Sequence, residues 1–332
     1  MAPRAPLPGE FALIRRYFAP LAAGVAGALD LEDDACTYRP PEGNELVLTA
    51  DALVEGRHYL PSDPADLVAR KMLRVNLSDL AAKGAKAVGY LMTVALGPEI
   101  DEDWIAKFSA GLAADQQEYG IGLMGGDTVA TPGPTTLSVT AIGRVPAGKA
   151  MRRNAARPGD SLFVSGTIGD GYLGLSVLRG GLMGLGAIHR DALVERYHLP
   201  QPRLRLGEAL RTSGLVHAAM DVSDGLVADA AHIGEASRCG IVIRADAVPL
   251  SPAAQEALAE DLGLLPSLLS GGDDYELLFT APPGAAPAIA RLAAESGVPV
   301  KEIGGVVDDE GIQVLDRDGA EIALAHLGFQ HF

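Results

Sequence analysis

Residues 45–84 read ELVLTADALVEGRHYLPSDPADLVARKMLRVNLSDLAAKG, and this stretch decides the fold. Its first part, Leu46-Val47-Leu48-Thr49-Ala50-Asp51, is an apolar run that ends in a carboxylate, as a buried strand would be. Its last part carries Leu67, Val68, Met72, Val75 and Leu80 at a spacing near 3.6, which predicts a helix with one buried face. Asn76, Ser78 and Asp79 fall late in that helix. One strand and one helix thus each bring an aspartate toward an element end, where sites on α/β scaffolds gather. The expected class is α/β (α+β), with mixed sheets packed against helices.

A chain of 332 residues exceeds one ordinary core, so two domains are expected. The basic run Lys149-Ala150-Met151-Arg152-Arg153 after Pro146-Ala147-Gly148 marks the boundary, giving residues 1–148 and 149–332. That run reads either as a solvated linker or as a phosphate clamp. The formal charge of -16 argues against a nucleic-acid partner, which needs basic faces. An acidic chain still binds polyphosphates when divalent cations stand between the two sets of charge. Cys36 and Cys239 show no C-x-x-C spacing, which disfavours a disulfide framework or zinc ribbon and fits a reduced, cytoplasmic setting. Near the start, Glu10, Phe11, Leu13, Ile14, Tyr17 and Phe18 predict one amphipathic helix. The run from Ala19 to Leu29 is interrupted by Pro20 and does not read as a signal peptide. No segment approaches a membrane span, so no membrane partner is expected.

Acidic clusters recur along the chain. Asp30, Glu32, Asp33 and Asp34 lead into an expected strand at Ala35, as a solvated loop or a ligand-binding one. His58 follows the first strand, as a surface or capping histidine or a ligand. A strand is expected over residues 88–96, a helix over 102–119 and a strand over 136–145. Gly125-Gly126-Asp127 offers a close backbone approach with a carboxylate beside it, or a plain turn. After a strand over 161–165, Gly169-x-Gly171-x-x-Gly174 with Asp191 satisfies the dinucleotide pattern. These glycines start beyond the strand, and no regular βαβαβ alternation surrounds them, so they read as loop and helix-packing residues. Asp221 and Asp224 flank Ser223 just before a helix over 226–237, where Asp224 serves as N-cap or as ligand. Ser270-Gly271-Gly272-Asp273 precedes a strand over 277–280 and echoes the earlier Gly-Gly-Asp, hinting at an internal duplication. Phe329 and Phe332, at the C-terminus, are aromatics expected to dock on the body of the protein.

Aspartates scattered over strand and helix ends suit magnesium, which takes hard oxygens and is held by one or two carboxylates plus substrate phosphates. Phosphoryl transfer asks a protein mainly for positioning and charge neutralisation. The chain has no Walker A sequence and no protein-kinase H-R-D or D-F-G set. A nucleotide enzyme that recruits metal through aspartates is the expected class.

The motifs in this order resemble the thiamine-monophosphate kinase family of the aminoimidazole-ribonucleotide-synthetase-like superfamily, along essentially the whole chain. The matching segments are Gly9-Glu10-Phe11, Asp33-Asp34-Ala35, Thr49-Ala50-Asp51, the run from Val75 to Ala82, and Gly125-Gly126-Asp127-Thr128. They continue with Arg157-Pro158-Gly159-Asp160, Asp221-Val222-Ser223-Asp224-Gly225 and the run from Ser270 to Leu277. The resemblance implies ATP-dependent phosphorylation of thiamine monophosphate by direct in-line transfer, in a two-domain homodimer whose N-terminal sheets meet. It implies magnesium on Asp34, Thr49, Ala50, Asp51, Asp79, Asp127, Asp221 and Asp224. ATP would face Tyr119, Gly126, Asp127, Arg153 and Ser223, and thiamine phosphate would face His58, Asp273 and Phe329. Asp51, Asp79, Asp127 and Arg153 would carry the transfer itself. The chain departs from the family pattern at Glu32 (often glycine), Ala50 (a hydroxyl residue), Lys83 (methionine) and Asp273 (glutamate). The alternatives are a ligase like aminoimidazole ribonucleotide synthetase and a non-catalytic nucleotide or thiamine-phosphate binder.

Overall fold

A computed structural model describes residues 7–329. They divide into two compact units, one holding the chain up to Leu80 with Lys86–Gly148, the other Ala81–Ala85 with the chain from Lys149 on.

The first unit is built on a four-stranded sheet of β1 (Asn44–Val54), β2 (Lys86–Leu96), β3 (Gly122–Ala130) and β4 (Thr136–Pro146), in the order β1-β4-β2-β3. β4 runs antiparallel to both neighbours, and β2 and β3 are parallel. Its two long helices are α1 (Ala65–Ala82) and α2 (Glu102–Tyr119), the latter capped by the Asp101 carboxylate, which accepts from the Trp104 N–H. Strand alternation gives the sheet two faces. Tyr90, Met92, Val94, Leu137 and Val139 are buried on one. Leu46, Leu48 and Val129 lie on the other and are exposed, Leu48 at 61%.

Between α1 and α2 lies a buried ion network. Arg74 grips Asp115 with two bonds of 2.7 and 2.9 Å, and Arg70 adds a third of 2.7 Å. Asp115 is fully buried and Arg74 nearly so. Two arginines repay the desolvation of one carboxylate here, and the planar fork fixes the helix register.

The first helix departs from expectation. It runs Glu10–Leu13, passes through a π-turn over Ile14–Phe18 and resumes over Ala19–Ala22. Pro20 explains the π-turn: it has no N–H and its ring would clash with the carbonyl four residues back, so the turn widens. The strand expected at Ala35 is absent; Thr37 makes one backbone bond to Gly27 and the chain stays irregular. Before it, Leu29, Asp30 and Leu31 all have positive φ, at 52°, 53° and 57°.

The second unit holds β5 (Ser161–Ser165), β6 (Ala218–Val222), β7 (Gly240–Arg244), β8 (Glu276–Ala281), β9 (Val300–Val307) and β10 (Gly311–Leu315). Their order is β10-β7-β9-β5-β8-β6, parallel only between β10 and β7. Helices α3 (Asp170–Leu178), α4 (Ala187–His198), α5 (Leu204–Ser213), α6 (Leu226–Ser237), α7 (Pro252–Glu260), α8 (Leu265–Ser270) and α9 (Ala286–Ser296) surround it. Alternation again sets the layers. Leu162, Val164, Met220, Ile241 and Ile243 pack with Leu226, Ala230 and Ile233 of α6. Phe163, Ala219, Leu277 and Phe279 pack with Leu206 and Leu210 of α5 and Ile289 of α9. Gly171 and Gly174 lie inside α3, where a Cβ would meet the Asp273 and Leu193 carbonyls at 2.3 and 2.2 Å. They are packing glycines.

Candidate functional site

In the first unit, Thr49 and Asp51 share the helix-covered face of β1. The Thr49 hydroxyl donates to the Asp79 carboxylate of α1, and the Asp51 N–H donates to Asn76 Oδ1 at 3.2 Å. Asn76 in turn donates to the Met72 carbonyl at 2.9 Å, which fixes its amide. The strand and the helix of residues 45–84 therefore bring Thr49, Asp51, Asn76 and Asp79 together. Ala50 points to the other face and has only backbone oxygen to offer. Asp34 lies in the exposed turn, its N–H bonded to Asp33 Oδ1 at 2.8 Å.

Asp127 is elsewhere in the same sheet. Register pairs Asp51 with Val139, Val139 with Met92 and Met92 with Gly126, so Asp127 lies one residue past that row and on the opposite face. β1 and β3 are the two edges. Three strand spacings separate them, about 14 Å in a flat sheet. Gly125-Gly126-Asp127 is thus neither turn nor loop but mid-strand. A Cβ at Gly126 would lie 1.8 Å from the Met92 carbonyl, so only glycine fits there.

The His58 imidazole Nδ1 accepts the Val54 N–H at 3.0 Å, and its carbonyl accepts from the buried Lys71 ammonium at 3.4 Å. This closes the loop after β1. Tyr119 ends α2 with the Arg74 guanidinium 5.2 Å from its ring centre; burial pushes its hydroxyl pKa up.

In the second unit, Asp221 is the penultimate residue of β6 and is buried, and Ser223, Asp224 and Gly225 form the turn into α6. Asp224 does not cap that helix. Gly225 occupies the cap position, and Asp229 from the first turn accepts the N–H groups of Ser223, Asp224 and Gly225 at 3.0, 3.1 and 3.2 Å. Burial, then the neighbouring Asp221 and Asp224, raise the Asp229 pKa well above the usual carboxylate range. The carbonyls of the same turn face outward. Val222, Ser223 and Asp224 accept from the N–H groups of Tyr275, Asp273 and Phe329 at 2.7, 2.9 and 2.9 Å. Ser223, Asp224, Asp273 and Phe329 are thereby brought together. Arg153 lies exposed in irregular chain, its carbonyl accepting from Ser237.

Asp273 and Tyr275 both have positive φ, at 73° and 53°, and the Tyr275 hydroxyl donates to Asp273 Oδ1 at 3.1 Å. Between them, buried Asp274 accepts the N–H groups of Gly169 and Gly171 at 2.8 and 3.3 Å. Next to it, buried Glu276 takes Arg196, Arg203 and the Ser165 hydroxyl. Gly271-Gly272-Asp273 is irregular chain before β8, unlike Gly125-Gly126-Asp127, so the sequence echo has no shared local structure. Phe332 lies outside the described residues.

Sequence reading missed Asp229, Asp274 and Glu276. An acid in a first helical turn is ordinary, and nothing local marks Asp229 as the acceptor of three donors. Every donor in the two acidic groups is a hard oxygen, which fits magnesium rather than zinc or copper. Asp224, Asp229 and His232 also bring ligand atoms within 4.8 Å of one another.

Two family models match the chain: the AIR synthase related protein N-terminal domain over residues 32–145 and the C-terminal domain over 157–317. The chain is 44% identical to a thiamine-monophosphate kinase of Caulobacter vibrioides, over 99% of this chain and 93% of that one. The crystal structure of thiamine-monophosphate kinase from Stenotrophomonas maltophilia superposes with a TM-score of 0.84 at 40% identity, covering 95% of this chain and 98% of that one. A structure described as AaThiL complexed with AMPPCP and TMP superposes with a TM-score of 0.77 at 30% identity, covering 98% and 97%.

Proposed function

Because the chain belongs to the AIR synthase related proteins, and within them to the thiamine-monophosphate kinases, we propose that it uses ATP to convert thiamine monophosphate into thiamine diphosphate, releasing ADP. An oxygen of the acceptor phosphate attacks the γ-phosphorus in line. The new P–O bond forms as the bond to the β–γ bridging oxygen breaks, and that electron pair leaves with ADP. The acceptor's second pKa is about 6, so it is already largely ionised near neutrality and needs no general base.

What opposes the reaction is repulsion between two polyanions. Magnesium, when bound, would neutralise the facing phosphates and template their approach, held by Asp34, Thr49, Asp51, Asp79, Asp127, Asp221, Asp224 and the Ala50 backbone. Arg153 is exposed and always charged, suited to grip a phosphate with two donors. Tyr119, Gly126 and Ser223 would face the nucleotide. His58, Asp273 and Phe329 would face thiamine phosphate, the half-exposed Phe329 ring offering a face for the cationic thiazolium.

The observation that supports this reading is the turn of residues 222–224, whose carbonyls hold the backbone of Asp273 and Phe329, so that residues proposed for the substrate lie beside residues proposed for nucleotide and metal. Purified protein given ATP, magnesium and thiamine monophosphate should form thiamine diphosphate, with inversion at a chiral γ-phosphorus. Retention would indicate a phospho-enzyme and overturn the direct step.

A homodimer formed through the open face of the first unit's sheet belongs to the same reading. That face carries exposed Leu46, Leu48 and Val129 together with Asp127, and exposed apolar patches of this kind mark association sites. A two-fold partner would lay Asp127 of one copy over the open face of the other, within reach of its β1 edge. Light scattering should report twice the chain mass. We place the reaction in the cytoplasm, where Cys36 and Cys239 would stay reduced. Among the described residues no helix is long and apolar enough to cross a membrane.

A further inference from the structure

Asp229 is 1% exposed, and one of its oxygens, Oδ2, accepts three successive N–H groups. Successive N–H groups converging on one anion form a nest of the kind that elsewhere binds phosphate. Here the chain supplies the anion itself, from five residues beyond Asp224. The turn therefore has its N–H side filled from within, and its carbonyl side turned outward.

That outward side is where the other segments attach. The carbonyls of Val222, Ser223 and Asp224 hold Tyr275, Asp273 and Phe329 through their backbone N–H groups. Close packing reinforces the arrangement. A Cβ at Gly272 would lie 2.4 Å from the Ser223 carbonyl, and one at Gly225 would lie 2.5 Å from the Ser270 carbonyl. Rotating any peptide of the turn would break a bond to Asp229 on one side and to Asp273, Tyr275 or Phe329 on the other.

We propose that Asp229 is a positioning residue that sets the peptide planes of residues 223–225, and through them the side chains of Ser223 and Asp224 and the backbone of Asp273 and Phe329. It acts without touching substrate. This rests on the kinase reading for what those residues do, but not for the geometry that Asp229 imposes. An asparagine keeps one oxygen in the same place; an alanine keeps nothing.

The test compares the intact protein with Asp229→Asn and Asp229→Ala by two readouts. Amide hydrogen exchange of Ser223, Asp224 and Gly225, measured without nucleotide or metal, should slow similarly in wild type and Asp229→Asn. In Asp229→Ala those amides should exchange at least ~10-fold faster, the loss expected when a hydrogen-bond acceptor disappears, with β5 and α9 unchanged. In the kinase assay, Asp229→Ala should raise the half-saturating magnesium concentration by about 10- to 100-fold, the range for lost outer-shell support. Asp229→Asn should recover most of it. A folded Asp229→Ala with wild-type exchange and magnesium dependence overturns the proposal. So does an Asp229→Asn as impaired as Asp229→Ala, since position rather than charge is claimed. If Asp229→Ala does not fold, Asp229→Glu, which shifts the oxygen by one methylene, takes its place with the same two outcomes. A wild type that makes no thiamine diphosphate would sink the kinase reading and leave the exchange result to decide the geometry.

Discussion

Asp51 and Asp127 stand on opposite edge strands of one four-stranded sheet, and on its opposite faces. Asp51 faces α1, where Asn76 holds its backbone and Thr49 and Asp79 lie beside it. Asp127 looks out from the open face among residues that would be apolar cover if another molecule sat there. A single sheet cannot deliver both carboxylates to one cation; Asp127 of a second copy would have to reach Asp51 around the β1 edge, where the two faces meet. Symmetric dimers bring a surface patch against its own copy, so the edge of one sheet can supply what the other lacks.

The hydroxyl of Thr49 donates to Asp79 and so fixes which carboxylate oxygen remains free. Thr49→Val keeps the shape of the side chain and removes the donor. The half-saturating magnesium concentration should rise about 10-fold, the lower end of what loss of a supporting bond costs a metal site. Titrating magnesium in the kinase assay checks this, and an unchanged midpoint would remove Thr49 from the site.

Asp115 is the buried carboxylate between Arg70 and Arg74. Asp115→Ala leaves Arg74 charged and buried without its two-bond partner, Glu118 being half-exposed. Destabilisation of about 3–5 kcal/mol is expected for such a broken pair. Denaturant unfolding measures it; a loss below about 1 kcal/mol, the range of surface pairs, would contradict the burial.

Leu29, Asp30 and Leu31 form a left-handed turn just before the first acidic cluster. Each such residue costs about 1–2 kcal/mol, and glycine avoids it at an entropic cost of about 0.5–1 kcal/mol. Leu29 is half-exposed, so Leu29→Gly gives up only part of a side chain's packing. The variant should gain about 0.5–1 kcal/mol in thermal unfolding; a loss would mean the leucine contributes more than its conformation costs.

Asp274 is buried, and burial first, with Asp170 adding to it, raises its pKa well above 3.8 despite bonds from Gly169 and Gly171. A carboxyl whose folded pKa is raised binds its proton more tightly in the folded state. Its stabilising contribution is complete below the unfolded value of 3.8 and is lost as pH rises through the folded value. Asp274→Asn cannot titrate. Its melting temperature should therefore gain on wild type as pH rises above 3.8, and a difference independent of pH would contradict the shift.

Much of this was legible in the sequence where structure is local. The helices over 102–119 and 226–237 follow from apolar period and flanking signals, and the strand at 161–165 from its apolar run between turns. Residues 45–84 gave the strand–helix pair that carries Asp51 and Asp79. What was not legible depends on partners distant in sequence. Glycines hid the strand character of Gly125-Gly126-Asp127, because their reason for being there is the Met92 carbonyl. Asp229 reads as one more acid in a first helical turn until three N–H groups are seen to point at it. Pro20 marked an interruption, but not that a π-turn would absorb it. The edge positions of β1 and β3 arise from strand order, which no stretch of sequence encodes by itself.

Mixing two inactive variants tests the use of both sheet faces most directly. Asp51→Asn and Asp127→Asn are each expected to lose at least ~100-fold in turnover, as removing a charge that stabilises phosphoryl transfer does. If the two carboxylates that serve one reaction come from different copies, a mixed dimer holds one site with both substitutions and one with neither. Unfolding and refolding an equimolar mixture should then restore about a quarter of wild-type thiamine diphosphate formation, the yield of random two-fold pairing. Mixed dimers that form and stay as inactive as the separate variants would contradict the account.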